Sequence, residues 1–292
     1  MNANIKGTRR LAFLLSFTLT GGAGLLGATN AAAGDITACG QAIDSSTTNG
    51  VLKNNITYNG SASCLEVKNG RNLNLNGYTI TCQTGYSCGQ AVTCPTTDGL
   101  NVGSLIQSTI GNDGGHTDIT GGFAVGVKNC GSVKNLKIVG ATTGILFNDA
   151  GTNGQDFTGN VIAPSTTGTG IDVQIADAGD MISDNLITGG NVGIFLRLGR
   201  SVALGSQVKE NILRGYGIAG IQSTITSNDY FRIERNSIIE GGAGSVPFDI
   251  AGSHPTYDDN VCEDEGPSPA SPPRCECEMD RMTATTAGGC PL

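Results

Sequence analysis

Asp172 and Arg197 are the residues of this chain whose types and spacing best suit chemistry on a sugar acid. Removing a ring proton beside a uronate needs a cation to neutralise the carboxylate and a base to accept the proton. Arg197, with Arg200 and Arg214 near it in sequence, forms the one basic cluster close to a repeated segment, and Asp172 lies one repeat earlier. Phe195 offers a ring on which a pyranose could stack, and Gln174 and Gln222 offer amide donors and acceptors. The catalytic candidates are therefore Arg197 and Asp172, and the glycan-binding candidates are Phe195, Gln174, Gln222 and Arg197. The plainer reading of the same residues is a surface Arg paired with Asp172.

Glycoside hydrolysis would need two carboxyl groups close together. The residues expected to point outward in one column are Leu146, Asp172, Phe195, Gln222 and Asp249. Asp172 and Asp249 are three repeats apart, about 14 Å at a strand spacing of about 4.8 Å, which is too far. Asp258 and Asp259 are adjacent but fall in the last repeat. His116 lies in a Gly-rich acidic stretch, Gly111–Asp118, whose oxygens are of the kind calcium takes. This is a single copy, and a solvated turn explains it equally; no cofactor is expected. His254, before Pro255, reads as a surface-loop residue. No Gly-rich phosphate loop follows a strand and opens a helix, and no nucleophile elbow is present.

The elements that must position these residues repeat. Eight segments carry an apolar residue and another five positions on, renewed every 24 to 32 residues. They start at Leu73, Leu105, Val133, Phe157, Ile182, Val208, Ile233 and Tyr257. The partners are Tyr78, Ile110, Ile138, Ile162, Ile187, Leu213, Ile238 and Cys262. Asn stands three positions after the start in six copies (Asn76, Asn160, Asn185, Asn211, Asn236 and Asn260); Ser108 and Leu136 replace it in the other two. A second element reads Gly-Ile-x-apolar, as in Gly144–Phe147, Gly170–Val173 and Gly193–Leu196, with in-out alternation. Fixed-period self-similarity of this kind marks stacked coils whose apolar faces are buried only by their neighbours.

The expected fold is therefore all-β, a single-stranded right-handed parallel β-helix of about eight or more coils. Stacked Asn side chains can bond one another and satisfy buried backbone groups, and Asn tolerates a left-handed turn. Asn160, Asn185, Asn211 and Asn236 are thus expected to form a structural ladder. Lys209 and Glu234, and Glu210 and Arg235, occupy like positions on consecutive coils and are expected to pair across strands.

The segment Leu73-Asn74-Leu75-Asn76-Gly77-Tyr78-Thr79-Ile80 resembles the opening rung of secreted right-handed β-helix repeat proteins, the superfamily that includes the pectin-lyase-like enzymes. The resemblance spans about residues 60–262. It implies the fold, which hosts lyases, hydrolases, epimerases, tailspikes and adhesins, and so does not imply one activity. The Arg-x-Pro-x-x-Arg and Asp-Pro-His-Asp motifs of its lyases and epimerases are absent, so none of their catalytic residues carries over. The function expected is an exported β-helix protein that binds glycan or contributes to the cell surface. The alternative is a polysaccharide-active enzyme, a uronic-acid lyase or epimerase.

Lys6, Arg9 and Arg10 precede an apolar run from Leu11 to about Ala28, and Ala31-Ala32-Ala33 follows. This pattern reads as a signal peptide over residues 1–33 and a secreted or periplasmic location. The net charge of −8 includes those three bases. The rest of the chain is more acidic still, which disfavours nucleic acid and anionic membrane as partners and leaves a polysaccharide or cell-surface glycan. All ten cysteines follow residue 33, an even number suited to disulfides.

Residues 34–60 read as an N-terminal cap and first strand, with a short helix over Ile36–Ile43. Residues 61–262 read as the β-helix, and 263–292 as an acidic Pro/Cys-rich tail. The wide early spacings place insertions at about 82–99, carrying Cys82, Cys88 and Cys94, and at 111–122.

Overall fold

The structure is a computed structural model and describes residues 34–44, 49–95, 104–108, 116–148, 154–176, 179–199, 205–224, 232–250 and 256–263. The chain is all β. It winds through three parallel sheets in turn, one of ten strands and two of nine. In each coil the chain passes from the first sheet (for example Asp156–Thr158) to the second (Val161–Ala163) and then to the third (Thr169–Ala176). Among the described residues, eight successive coils place a strand in all three sheets, with part-coils at either end. This is a parallel β-solenoid.

The apolar columns make the core. In the first sheet Leu73, Ile106, Val133, Phe157, Ile182, Val208, Ile233 and Tyr257 lie in register. In the second sheet the column is Ile80, Ile119, Ile138, Ile162, Ile187, Leu213, Ile238 and Cys262. The residues of the second column are at most 5% exposed. Each fully buried aliphatic side chain stabilises the stack by about 1.5–3 kcal/mol. Two early positions differ from the sequence expectation. Ile106, not Leu105, aligns with Leu73, and the partners of Leu73 and Ile106 are Ile80 and Ile119 rather than Tyr78 and Ile110. The corner between sheets is longer in these coils, so a fixed five-residue step misses the inward residue.

Asn160, Asn185, Asn211, Asn236 and Asn260 form a continuous ladder. The side-chain Oδ1 of each of the last four accepts both the backbone N–H and the Nδ2 of the Asn one coil earlier, at 2.9–3.0 Å. The amide of each Asn also donates to a carbonyl of the preceding coil, as Asn185 Nδ2 does to Phe157 O at 2.8 Å. Leu136 tops the ladder by donating its N–H to Asn160 Oδ1.

The left-handed residue of this corner is not the ladder Asn but the residue before it. Asn135, Gly159, Asp184, Glu210, Arg235 and Asp259 all have φ between 48° and 68°. The ladder Asn is selected by its hydrogen-bonding capacity, not by tolerance of positive φ. Asn76 itself stands outside the ladder. It has φ 50° and is followed by Gly77 at φ 77°, so it is a turn residue, and the buried Leu75 precedes it.

The expected capping helix over Ile36–Ile43 is absent. Gly34–Ile36 and Ala42–Ile43 are strands that join the first and third sheets, so the stack begins at residue 34 within the described residues. The disulfide Cys39–Cys64 ties this incomplete coil to the next. Residues 82–94 are likewise no insertion. Cys82 ends a second-sheet strand, Cys88 begins a third-sheet strand, and the two are bonded across the corner. Cys94–Cys130 joins two adjacent coils. Residues 1–33, read from sequence as a signal peptide, His254 and the tail beyond Glu263 lie outside the described residues, as do residues 111–115.

Candidate functional site

The strands Thr169–Ala176 and Val192–Gly199 are the longest among the described residues, eight residues each. They pair in parallel with Asp172 beside Phe195 and Val173 beside Leu196. Ile171 and Val173 point into the core at 0% and 2% exposure, so alternation sends Asp172 and Gln174 to the outer face. The outward column runs Leu146, Asp172, Phe195, Gln222, Asp249.

Asp172 is nevertheless only 4% exposed. Arg197, from the next coil, reaches diagonally over it. Arg197 Nε donates to Asp172 Oδ1 and Nη2 donates to Oδ2, both at 2.9 Å. The same guanidinium lies 4.2 Å from the centroid of the Phe195 ring. Thr224 Oγ1 donates to the Arg197 carbonyl, and Gln222 Nε2 donates to Asp249 Oδ2 at 2.7 Å. Gln174, Phe195, Arg197 and Gln222 are half-buried on this face.

Chemically this is a self-satisfied cluster. The two-pronged fork fits a carboxylate and takes two of the five N–H donors of Arg197. The Arg197 side chain is 41% accessible, but its positive charge is already balanced by Asp172. A base must reach the proton that it removes. Asp172 lies beneath Arg197 with 6% of its side chain accessible, so it does not present an oxygen to a polymer on this face. The Phe195 ring has one face occupied by the guanidinium, a favourable cation–π contact. Asp172 and Asp249 are separated by three coils, about 14 Å, beyond the spacing of a glycosidase pair.

Removing the guanidinium would leave Asp172 buried and unpaired, which costs more than removing both partners. Arg197→Ala is therefore expected to destabilise the fold by about 2 kcal/mol, and Asp172→Ala in the Arg197→Ala background to recover part of that loss. Urea unfolding of the four proteins of this cycle checks it; no coupling between the two sites would refute the pairing as a stabilising feature.

Two candidates outside this face are engaged in structure. His116 Nε2 lies 2.8 Å from Asp118 Oδ1, and the fully buried Asp118 uses Oδ2 to accept the backbone N–H of Lys137. Asp118 thus serves the corner beside the ladder, and residues 111–115 of the Gly-rich stretch lie outside the described residues. Among the described residues no group of three or more His, Cys, Asp or Glu side chains is arranged to hold a metal. This His–Asp contact was not foreseen from sequence; the two-residue spacing is its only trace there.

Glu210 and Arg235 do pair, with Arg235 Nε donating to Glu210 Oε1 at 2.9 Å. The bond and the charge of Glu210 raise the Arg235 pKa above its ordinary value. The two residues sit at the left-handed corner, however, not across strands. Lys209 and Glu234 are neighbours by register, but Glu234 turns its oxygens to Arg232 and Arg235, each at 3.6 Å.

Beneath the Asp172–Arg197 face, a small cavity is lined by Phe157, Val173, Asp180, Ile182, Leu196 and Ser206, among others. Asp180 there accepts the Gln155 N–H and donates its own N–H to Ser206 Oγ, both at 3.2 Å. This second run of buried polar residues follows the corner between the third and first sheets and had no counterpart in the repeat pattern. No protein-family model, no curated protein and no solved structure matches this chain.

Proposed function

We propose that the chain is an exported β-helix protein of the pectin-lyase-like kind that binds a glycan on the outer face of its third sheet, or presents that face at the cell surface, without catalysing a reaction there. The observation that carries this reading is the mutual engagement of Asp172, Arg197 and Phe195. The residues best suited to chemistry satisfy one another, and what remains outward is a row of amide, carboxylate and ring edges. Such a row suits hydrogen bonding and stacking to sugars. The acidic balance of the chain favours a neutral polysaccharide over an acidic one. Three disulfides support folding in an oxidising compartment, and hence export.

A glycan array probed with the mature protein tests this. Binding to a neutral polysaccharide is expected, with Phe195→Ala and Gln222→Ala each weakening it by about tenfold, equivalent to about 1.4 kcal/mol. Melting curves must show that both variants remain folded. Uronic-acid polymers, followed by ultraviolet absorbance of unsaturated product, are expected to give no signal. A product signal abolished by Arg197→Ala would establish the lyase instead, and no binding to any glycan would overturn the binding role.

A further inference from the structure

Charge is unevenly placed around the coils. The outer face of the third sheet carries Lys128, Asp172, Arg197 and Asp249, and that of the first carries Lys134, Asp156, Lys209 and Glu234. The margin of the second sheet next to its corner with the third is different. Thr57, Thr81, Thr120, Val139, Ala163 and Thr188 each follow an inward Ile, so alternation turns them outward, and they stand in register on six consecutive coils. The loops that lead from them to the third sheet are residues 59–62, 83–87, 121–122, 140–142, 164–168 and 189–191. None of these loops holds an Asp, Glu, Lys, Arg or His. A chain with 17 basic and 25 acidic residues thus keeps this margin free of charge over six coils.

Two further facts point to a ligand. The first is unused hydrogen-bonding capacity. Among the described residues, no protein group bonds the hydroxyls of Thr57, Thr81, Thr120 or Thr188. On the third-sheet face, by contrast, Asp172 and Arg197 satisfy each other, as do Gln222 and Asp249. The second fact is a ring. Tyr86 is 50% exposed, the one aromatic among the exposed large apolar side chains of the described residues. It sits in the loop that the Cys82–Cys88 disulfide closes, five residues on from Thr81, and its N–H donates to Gln83 O at 3.1 Å. A loop held in this way has little freedom left to lose on binding. Beside it, Asn59 Nδ2 of the preceding coil donates to Gln83 Oε1 at 3.3 Å, so two exposed amides flank the ring.

We propose that this margin is a second glycan-binding surface, separate from the third-sheet face, and that it takes a neutral, extended polysaccharide lying along the solenoid axis. Tyr86 stacks on one sugar ring, and the threonine hydroxyls meet sugar hydroxyls coil by coil. Coils repeat at about 4.8 Å, close to the length that one pyranose adds to an extended polymer. The lack of Lys and Arg disfavours nucleic acid and anionic lipid as occupants. A stable contact between two copies needs a core of large apolar side chains, which Thr, Val and Ala do not supply. The margin shares no residue with the third-sheet face, so the two surfaces are tested apart.

The starting protein for the test carries Phe195→Ala and Gln222→Ala, which removes the third-sheet contribution. Mixed with microcrystalline cellulose or chitin, two neutral insoluble polymers, it is expected to be depleted from solution. In that background Tyr86→Ala, and Thr81→Lys combined with Thr120→Lys, are each expected to weaken retention by about tenfold. Thr81→Ser with Thr120→Ser keeps the hydroxyls and is expected to retain binding. Tyr86 is exposed, so its variant carries the test even where the lysine pair lowers the melting temperature. No retention of the starting protein on either polymer, or equal retention by all variants, refutes the surface and leaves the third-sheet reading to its own array result. Dimerisation in light scattering that the two lysines abolish, without retention on polymer, makes the margin a contact between copies and also overturns the proposal.

Discussion

Asn185→Ala is expected to lower the stability of the solenoid by about 4 kcal/mol. The Asn185 side chain takes part in four hydrogen bonds. It accepts from Asn160 N and Nδ2 and donates to Phe157 O and Asn211 Oδ1. Asn160, Asn185 and Asn211 are all at most 1% exposed, so water cannot replace the missing partner without opening the corner. Alanine would strand a backbone N–H, a side-chain N–H and a carbonyl, each costing about 1–3 kcal/mol when buried, less whatever the corner recovers by relaxing. Asn260 is the internal control. It ends the ladder half-buried, and its Oδ1 serves Asn236 only on one side of the stack. Asn260→Ala is expected to cost about 1 kcal/mol, because water can reach the vacated groups. Denaturant titration of the two variants gives both values. Equal losses would mean that burial of the ladder does not set its contribution.

Gly170→Ala should cost about 3 kcal/mol, for the opposite reason: an added atom has no space. A Cβ on Gly170 would lie 2.5 Å from Ile187 Cγ2 and 2.6 Å from the carbonyl oxygen of Gly193 in the next coil. A side chain can rotate away, but the Gly193 oxygen belongs to the backbone of a neighbouring rung. Gly126, Gly144 and Gly193 meet the same obstacle, each with a Cβ position 2.6 Å from a carbonyl one coil on. The glycine of the Gly-Ile-x-apolar element is therefore required by close approach of rungs at the corner facing the second sheet. Gly242→Ala serves as the comparison. Its Cβ would come no closer than 3.4 Å to any neighbour, and a change within about 1 kcal/mol is expected. Thermal unfolding distinguishes the two. A Gly170→Ala protein as stable as its parent would show that the rungs can separate at little cost.

Much of the architecture was legible because a solenoid writes its long-range contacts as a short-range pattern. Strand alternation assigned Ile171 and Val173 to the core and Asp172 to the outside. The period then stacked Asp172, Phe195, Gln222 and Asp249 in one column, as the register places them. Where corner length varied, the inference slipped. Leu105 stood in for Ile106, Asn76 shares the repeat position of the ladder Asn without joining the ladder, and Ile36–Ile43 read as a helix where two short strands, Gly34–Ile36 and Ala42–Ile43, flank a turn. A short segment has no period of its own, and only pairing with Asn49–Leu52 and Ser63–Val67 fixes it as β.

From sequence alone came the period, the inward and outward faces and the amide column, because each depends on side-chain alternation and spacing along the chain. Tertiary structure alone decided which corner residue takes the left-handed turn, which cysteines meet, and that Asp172 lies beneath Arg197 instead of open to a ligand. Those outcomes depend on corner dihedrals and on the diagonal reach of long side chains between rungs. Neither is encoded in the spacing of residues within a rung, so a residue that alternation assigns to the surface can still be covered by its neighbour one coil away.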